Sequence, residues 1–290
     1  MQPYPYASVR VIRRPRPSGR ALRLLITIGV TLLALLFLFP FYWMVVLGTR
    51  SISEVYQFPP PLLPGTSLPE NFSRLLQAFN LPQAMWNSFV VAGSSTLFTL
   101  FFCSLAGYGF ARFSQAPGNR WLFNIMLATI MIPPTVGLIP WFIEMKNFHW
   151  LNSYWPLIIP TMANAFGIFW MRQFIAQTVP SELYDSSKID GCSDLAAYWR
   201  IVLPLIVPGL AALGILTFLS FWNNFQIPLI ILNDKNLFTM PLALTSLNAL
   251  YTNDTPAVML GTTISVLPII IAFLVGTRYF LAGLTSGSVK

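Results

Sequence analysis

The sequence predicts an all-α integral membrane protein with six transmembrane helices and a short cytoplasmic helix between spans four and five. Three observations predict it. Of the 290 residues, 55% are hydrophobic and only 9% are charged, where a soluble domain carries about 25% charged residues. Mean hydropathy is +0.65, and one aqueous core of this size does not hide so much apolar surface. Six stretches reach the ~20 mainly apolar residues that a bilayer crossing requires, and basic residues gather in alternate connections between them.

The expected spans cover residues 21–47, 85–111, 121–145, 154–174, 201–232 and 257–281. Pro133, Pro134, Pro140, Pro204 and Pro208 interrupt them, as membrane helices tolerate where neighbours or cavity water satisfy the freed carbonyls. Direction follows from charge. With the N-terminus inside, the inner segments hold Arg10, Arg13, Arg14, Arg16, Arg20, Arg23, Arg112, Arg120, Arg172, Lys188, Arg200, Arg278 and Lys290, which is 13 of the 17 basic residues. The outer loops hold Arg50, Arg74, Lys146 and Lys235. This asymmetry puts both termini in the cytoplasm. The chain then divides into a basic cytoplasmic tail (1–20), a six-span domain (21–281) and a short cytoplasmic tail (282–290). The run VIRRPRPSGR resembles the start of a signal peptide, but the apolar stretch after it is too long and no A-x-A-like cleavage site follows. An uncleaved first span is expected. FPPPLLPGTSLPENF (58–72) reads as an extended, partly polyproline outer segment, either a spacer or a docking surface for an external partner.

Composition excludes several classes of function. The net charge of +8 lacks the basic face with stacking aromatics that nucleic acid requires. One histidine, His149, and two cysteines, Cys103 and Cys192, build neither a metal site nor a disulfide framework. The span interiors carry no ionisable residue, which argues against a proton- or ion-coupled carrier. No nucleophile–base pair is available for an intramembrane hydrolase. No G-x-x-x-x-G-K-[ST] phosphate loop occurs, so an ATP-driven function needs another chain. The spans do hold neutral polar groups, among them Asn87, Ser94, Ser95, Thr99, Asn124, Asn164, Thr262 and Thr263. These either bridge helices or line a wet path for a hydrogen-bonding solute. Cys103, Gly107 and Ala111 form a small-residue ridge suited to close helix packing.

The window PSELYDSSKIDGCSD (180–194) holds Glu182, Asp185, Asp190 and Asp194, four of the nine carboxylates in the chain. Ser181 is the expected N-cap, with Glu182 in the first turn and Asp185 just beyond, both favoured near a positive helix end. Gly191 suits the residue just past a helix C-terminus, and Ser193 with Asp194 starts a second helix into span five. A short helix, a glycine bend and a second helix would join two spans stiffly and pass them a push from a cytoplasmic partner.

Asp185-Ser186-Ser187, Gly191 three residues later and Ile201-x-Leu203-Pro204 nine residues after that resemble the E-A-A, x3, G, x9, I-x-L-P signature of ATP-binding-cassette importer permeases. Asp replaces Glu and two Ser replace Ala-Ala, while the IDG frame and the preceding P-x-E-L are similar to the carbohydrate version. Residues 39–60, 87–113, 131–142, 167–184, 221–232 and 278–290 also resemble sugar-importer permeases, in the family's order. The tail and six-span layout are similar to the smaller, maltose-permease-like partner.

The resemblance implies a type I importer permease fold and a non-catalytic subunit of the prokaryotic inner membrane, surrounded by lipid. It implies a heterodimer with a second permease, a cytoplasmic ATPase dimer that binds the ATP and Mg²⁺, and an extracytoplasmic sugar-binding protein. This chain itself would bind no cofactor, metal or nucleic acid. Glu182, Leu183, Asp185, Ser186, Ser187, Asp190, Gly191, Ile201, Leu203 and Pro204 are then expected to couple to the ATPase, within segment 181–204, with span five kinked at Pro204. Asn223, Asn224 and Gln226 beside Trp222 mix amides and aromatics as a sugar path would, although packing or gating also fits them. Alternatives are a permease for another solute, such as a glycerophosphodiester or polyamine, or a membrane scaffold anchoring a soluble partner.

Overall fold

The computed structural model describes residues 19–250 and 254–286, and these are helical without strands. The residue 1–18 part of the basic tail and the tail beyond Ser286 lie outside the described residues. Helix α1 (Gly19–Gly48) leads to α2 (Ile52–Val55), α3 (Leu68–Ala78) and the long α4 (Leu81–Arg112). Then follow α5 (Asn119–Ile130), α6 (Leu138–Asn147), α7 (Trp155–Ile158) and α8 (Ala165–Thr178). The acidic window forms α9 (Ser181–Ile189) and α10 (Asp194–Ala197). The chain closes with α11 (Leu203–Leu205), α12 (Val207–Trp222), α13 (Gln226–Ile231), α14 (Met240–Leu250) and α15 (Thr255–Ser286).

Among the described residues, three helices are long and apolar enough to cross a bilayer, over Leu22–Gly48, Leu81–Arg112 and Thr255–Gly276. Two bent pairs raise the number to as many as five. The expected third span turns by 90° between Asn119–Ile130 and Pro134–Asn147. Pro133 and Pro134 remove two amide donors there, so the α-helical ladder stops. The expected fourth span is α7, a 3₁₀ segment Ile159–Ala163 and α8, and no single long helix covers it. The expected fifth span is also broken. Its kink falls at Ile206, not at Pro204, with a 77° bend between Asp194–Leu205 and Val207–Trp222. Pro204 is accommodated after a π-helical turn, Tyr198–Val202; the ring of Pro208 occludes the Pro204 carbonyl and forces the break two residues before itself.

Packing separates a core from a lipid-like surface. Helix α4 is the central post, lying against α8 and α12, with α12 and α1 against α15. Gly107 is where α4 meets α8: a Cβ there would stand 2.8 Å from Met171 Cβ and from Arg172 N. Cys103 is buried and gives its thiol to the Asn164 carbonyl at 3.4 Å, so the small-residue ridge acts as close helix packing. Three of the neutral polar groups bridge elements, while Ser94, Thr262 and Thr263 bond back within their own helices. Asn87 donates to Asn236 O and Phe238 O, Ser95 to Leu157 O, and Thr99 to Thr161 O, at 2.7–3.1 Å. In contrast, Leu24, Leu25, Leu36 and Phe37 of α1 stay more than 60% exposed. Such a surface is stable only against lipid or another apolar chain.

At the α1–α3 end of the bundle, buried Asn71 donates to Gly48 O and Arg50 O, both at 2.8 Å. Beside it Arg74 pairs with the buried carboxylate of Asp254 at 2.7 Å. The acidic window sits at the other end of α4, beyond Tyr108 and Arg112.

Candidate functional site

Helix α9 begins on Pro180, whose fixed φ of −62° and extended ψ lead into the helix. Ser181 is its first helical residue and makes no capping bond, which corrects the expected N-cap. Proline in the cap position supplies no side-chain acceptor, so no side chain satisfies the first amides of the helix. Glu182 does lie in the first turn, where the helix dipole favours a carboxylate.

The end of α9 matches the glycine expectation closely. Gly191 has φ +69°. Its N–H donates to Lys188 O at 3.0 Å, and Cys192 N–H donates to Ser187 O at 2.8 Å. These are the two bonds of a Schellman cap, which needs a left-handed residue just past the helix. Ser193 then accepts from Ala196 N at 3.3 Å and starts α10.

Helical spacing gives α9 two faces. Tyr184 and Ser187 are buried, and Ser187 bonds inward to Tyr184 O at 2.8 Å. Glu182, Asp185, Ser186 and Ile189 form the opposite, exposed stripe. The Asp-Ser-Ser triplet is thus divided: Ser187 packs on its own chain, while Asp185 and Ser186 face out. Ile189 is 87% exposed, and Leu183, Leu195 and Trp199 are also exposed apolar neighbours along the segment. Among the described residues, Glu182, Asp185 and Asp190 make no ion pair. Three free carboxylates around an exposed isoleucine make a ridge suited to a basic groove with an apolar floor.

The ridge is fastened to α4, about 80 residues earlier in the chain. Arg112 Nε meets Asp194 Oδ1 at 3.3 Å, and its guanidinium lies 4.7 Å from the Tyr184 ring centre. Tyr108 Oη donates to Asp194 O at 3.0 Å, and Ser104 Oγ bonds Tyr198 Oη at 2.7 Å. Tyr108 contacts both Tyr184 and Tyr198, at ring separations of 6.1 and 5.4 Å. Burial, with a smaller contribution from Tyr108, pushes the Tyr184 phenol up to about 12, Arg112 acting in the opposite direction. Sequence reasoning left Asp194 without a partner and did not include Arg112 or Tyr108 in the site. Ile189 stood within the IDG frame, but nothing in its spacing told that it faces out.

Ile201 and Leu203 are half-buried and Pro204 is exposed; the fully buried residues of this stretch are Val202 and, just beyond the motif, Ile206. The expected solute-path residues gather at the break between α12 and α13. Trp222 is 2% exposed and its indole N–H donates to Ser265 O at 3.1 Å, so it pins α12 to α15. Asn223 donates to Leu219 O at 2.9 Å, and Asn224 Oδ1 accepts from Ile227 N at 3.2 Å. Asn223 and Gln226 are exposed. No group of three or more His, Cys, Asp or Glu side chains gathers as a metal would require among the described residues.

Residues 100–285 match the family described as binding-protein-dependent transport system inner membrane component. The chain is 34% identical over 280 residues to the arabinooligosaccharides transport system permease protein AraQ of Bacillus subtilis (strain 168), covering 96% of this chain and 99% of that one. It is 34% identical to the lactose transport system permease protein LacG of Rhizobium radiobacter, over 90% and 94% of the two chains. It is 32% identical to the sn-glycerol-3-phosphate transport system permease protein UgpE of Yersinia pestis bv. Antiqua (strain Antiqua), also over 90% and 94%. In fold it resembles a chain of a bacterial ABC transporter involved in import of the acidic polysaccharide alginate, with TM-score 0.76, 23% identity, and 92% and 99% coverage. A chain of the alginate transporter in complex with a pentasaccharide-bound periplasmic protein gives TM-score 0.62 at 14% identity, over 90% and 95% of the two chains.

Proposed function

Because this chain belongs to the binding-protein-dependent transport inner membrane component family, we propose that it is the transmembrane subunit of an ATP-driven sugar importer. In this reading it forms half of the translocation path. A second, different permease forms the other half, a cytoplasmic ATPase dimer hydrolyses ATP, and an extracytoplasmic binding protein delivers the sugar. The observation that carries the reading is the exposed acidic ridge of α9, capped by Gly191 and fastened to α4. The names of AraQ and LacG support a sugar, and UgpE supports a glycerol phosphate as the second reading.

The end of the bundle that carries Arg112, Arg120 and Arg172 then faces the cytoplasm, as the positive-inside asymmetry requires. Glu182, Asp185, Ser186 and Ile189 dock on the ATPase, with Leu183 and Asp190 at the edge of the contact. A push on α9 has three routes into the membrane. It passes directly to α8 across Val179-Pro180. It passes to α12 through the cap, α10 and the bend at Ile206. It passes to α4 through the Arg112–Asp194 and Tyr108–Asp194 contacts. Helices so joined move together as packed bodies, since close-packed interiors switch between arrangements and do not deform continuously. The irregular Asn223–Phe225 segment between α12 and α13 exposes amides where a sugar's hydroxyls need partners.

Isolation in mild detergent tests the reading. The chain should bring a second permease and an ATPase with vanadate-sensitive hydrolysis, stimulated by a sugar-loaded binding protein. Glu182→Lys with Asp185→Lys should release the ATPase while the two permeases stay together. A chain that purifies without an ATPase, or a double variant that holds it unchanged, refutes the assignment.

A further inference from the structure

We propose that the cleft between the α4–α5 loop and the end of α8 binds a phosphate-bearing anion, either an anionic phospholipid headgroup or free phosphate. Two cavities of about 460 and 530 Å³ share Ser114 and Arg172 in their walls. Arg112 lines the first and Arg120 the second, while Asn119 and Asn124 add neutral donors to the second. Against these three guanidinium groups stand one lining carboxylate, Glu182, and Asp194, which pairs with Arg112 from outside the lining, so the cations remain in excess. Like charges gathered around a shared space repel one another, and an anion between them removes that repulsion.

Two of the cations are held in place. Arg172 lies 4.8 Å from the Phe123 ring centre and gives one N–H to Gln173 Oε1 at 2.6 Å. Arg112 is held by Asp194 and the Tyr184 ring. The Arg120 side chain makes no hydrogen bond or ion pair among the described residues, and the Arg172 side chain uses only one of its five N–H donors there. Fixed planar guanidinium groups with unused donors match the oxygens of a phosphate. Pro180, Ser181 and Glu182 also border the first cavity, which brings the first amides of the nine-residue α9 to its rim, and such amides favour anions.

The position favours a lipid headgroup. Arg112 ends α4 and Asn119 begins α5, so the cleft opens at the level where apolar helices finish. Phe113, 45% exposed, and Trp121, 67% exposed, follow Arg112 and Arg120 in the chain, as aromatic residues do at the bilayer boundary. The inference does not depend on the transport reading, because it concerns binding alone.

Native mass spectrometry of the assembled complex, with phosphatidylglycerol or phosphatidylcholine supplied in the detergent, tests it. The expected result is retention of one phosphatidylglycerol per copy of this chain in preference to phosphatidylcholine. Arg120→Gln and Arg172→Gln should each weaken retention about fivefold, or about 1 kcal/mol per basic group. Arg172→Lys, which keeps the charge, should lose less. A parallel arm titrates inorganic phosphate against chloride at equal ionic strength and reads the melting temperature. Stabilisation by phosphate without lipid retention assigns the site to a free anion. Retention that is equal in wild type and the double variant, with no phosphate effect, overturns the proposal. So does protection of a Ser114→Cys thiol by a partner subunit whether or not phosphatidylglycerol is present, since an acidic protein segment would then fill the cleft.

Discussion

Substituting Gly191 tests the proposed coupling element directly, because the structure separates two effects that such a change usually mixes. A Cβ at this position meets nothing within 4 Å, so an added side chain clashes with no part of this chain. The φ of +69° is another matter. Holding a residue with a Cβ in the left-handed region costs about 1–2 kcal/mol, which lowers the equilibrium constant for forming the bend by a factor of about 5–30. Asparagine tolerates the same region far better. Membrane insertion and permease pairing should therefore be unchanged in Gly191→Ala, Gly191→Leu and Gly191→Asn. In proteoliposomes with the partner subunits, solute uptake per ATP hydrolysed should fall about 5–30-fold for Ala and stay near wild type for Asn. If Leu is much worse than Ala, the docked ATPase approaches Gly191 closely. If Gly191→Leu transports normally, the coupling assignment is wrong. If Asn fails as badly as Ala, the backbone argument is wrong.

Three further outcomes follow from the same geometry. The Tyr184 hydroxyl is buried without a hydrogen-bond partner among the described residues, so Tyr184→Phe should raise thermal stability, by about 1 kcal/mol; a drop in melting temperature would reveal a partner for the hydroxyl. Its phenol is pushed up to about 12, above the ordinary value of about 10. The neutral form is therefore favoured in the fold, and its contribution is complete below pH ~10 and lost as pH rises toward 12. Tyrosinate absorbance followed during alkaline unfolding should show one late-titrating phenol fewer in the Phe variant than in wild type. Gly107→Ala should cost about 1–3 kcal/mol through overpacking, since its Cβ would stand 2.8 Å from Met171 Cβ; unchanged stability in detergent would contradict the close approach of α4 and α8. Asn224→Ala removes the acceptor for Ile227 N and should cost about 1 kcal/mol as a lost cap, whereas Asn224→Asp keeps it. A path residue would also change uptake rate or solute preference in the Asp variant, and a helix cap alone would leave both unaltered.

Local chemistry made much of this chain legible from sequence. The apolar runs declare a membrane protein because the bilayer demands length and composition that neighbouring residues supply by themselves. The end of α9 was legible for the same reason: a Schellman cap involves Ser187 to Cys192 alone, and Gly191 is the residue whose backbone allows it. The Ser181 cap failed within that local frame, because Pro180 took the cap position with its fixed φ.

What sequence did not reveal depends on residues far apart in the chain. Arg112 and Asp194 are 82 positions apart, and neither residue type announces the other as partner. Trp222 stood among amides as a path residue does, yet its surroundings are set by α15 and Ser265. The 90° turn in the expected third span and the 77° bend at Ile206 were not legible, because several prolines compete within each span and which of them ends the ladder, Pro208 and not Pro204 in the second case, is settled only in the folded chain. Charge and periodicity along the chain determined that α9 is a short acidic helix ending at Gly191. Only the tertiary structure decided which of its faces is free, since burial of Ser187 and of Tyr184, the latter against Tyr108 and Arg112 of α4, leaves Glu182, Asp185, Ser186 and Ile189 exposed.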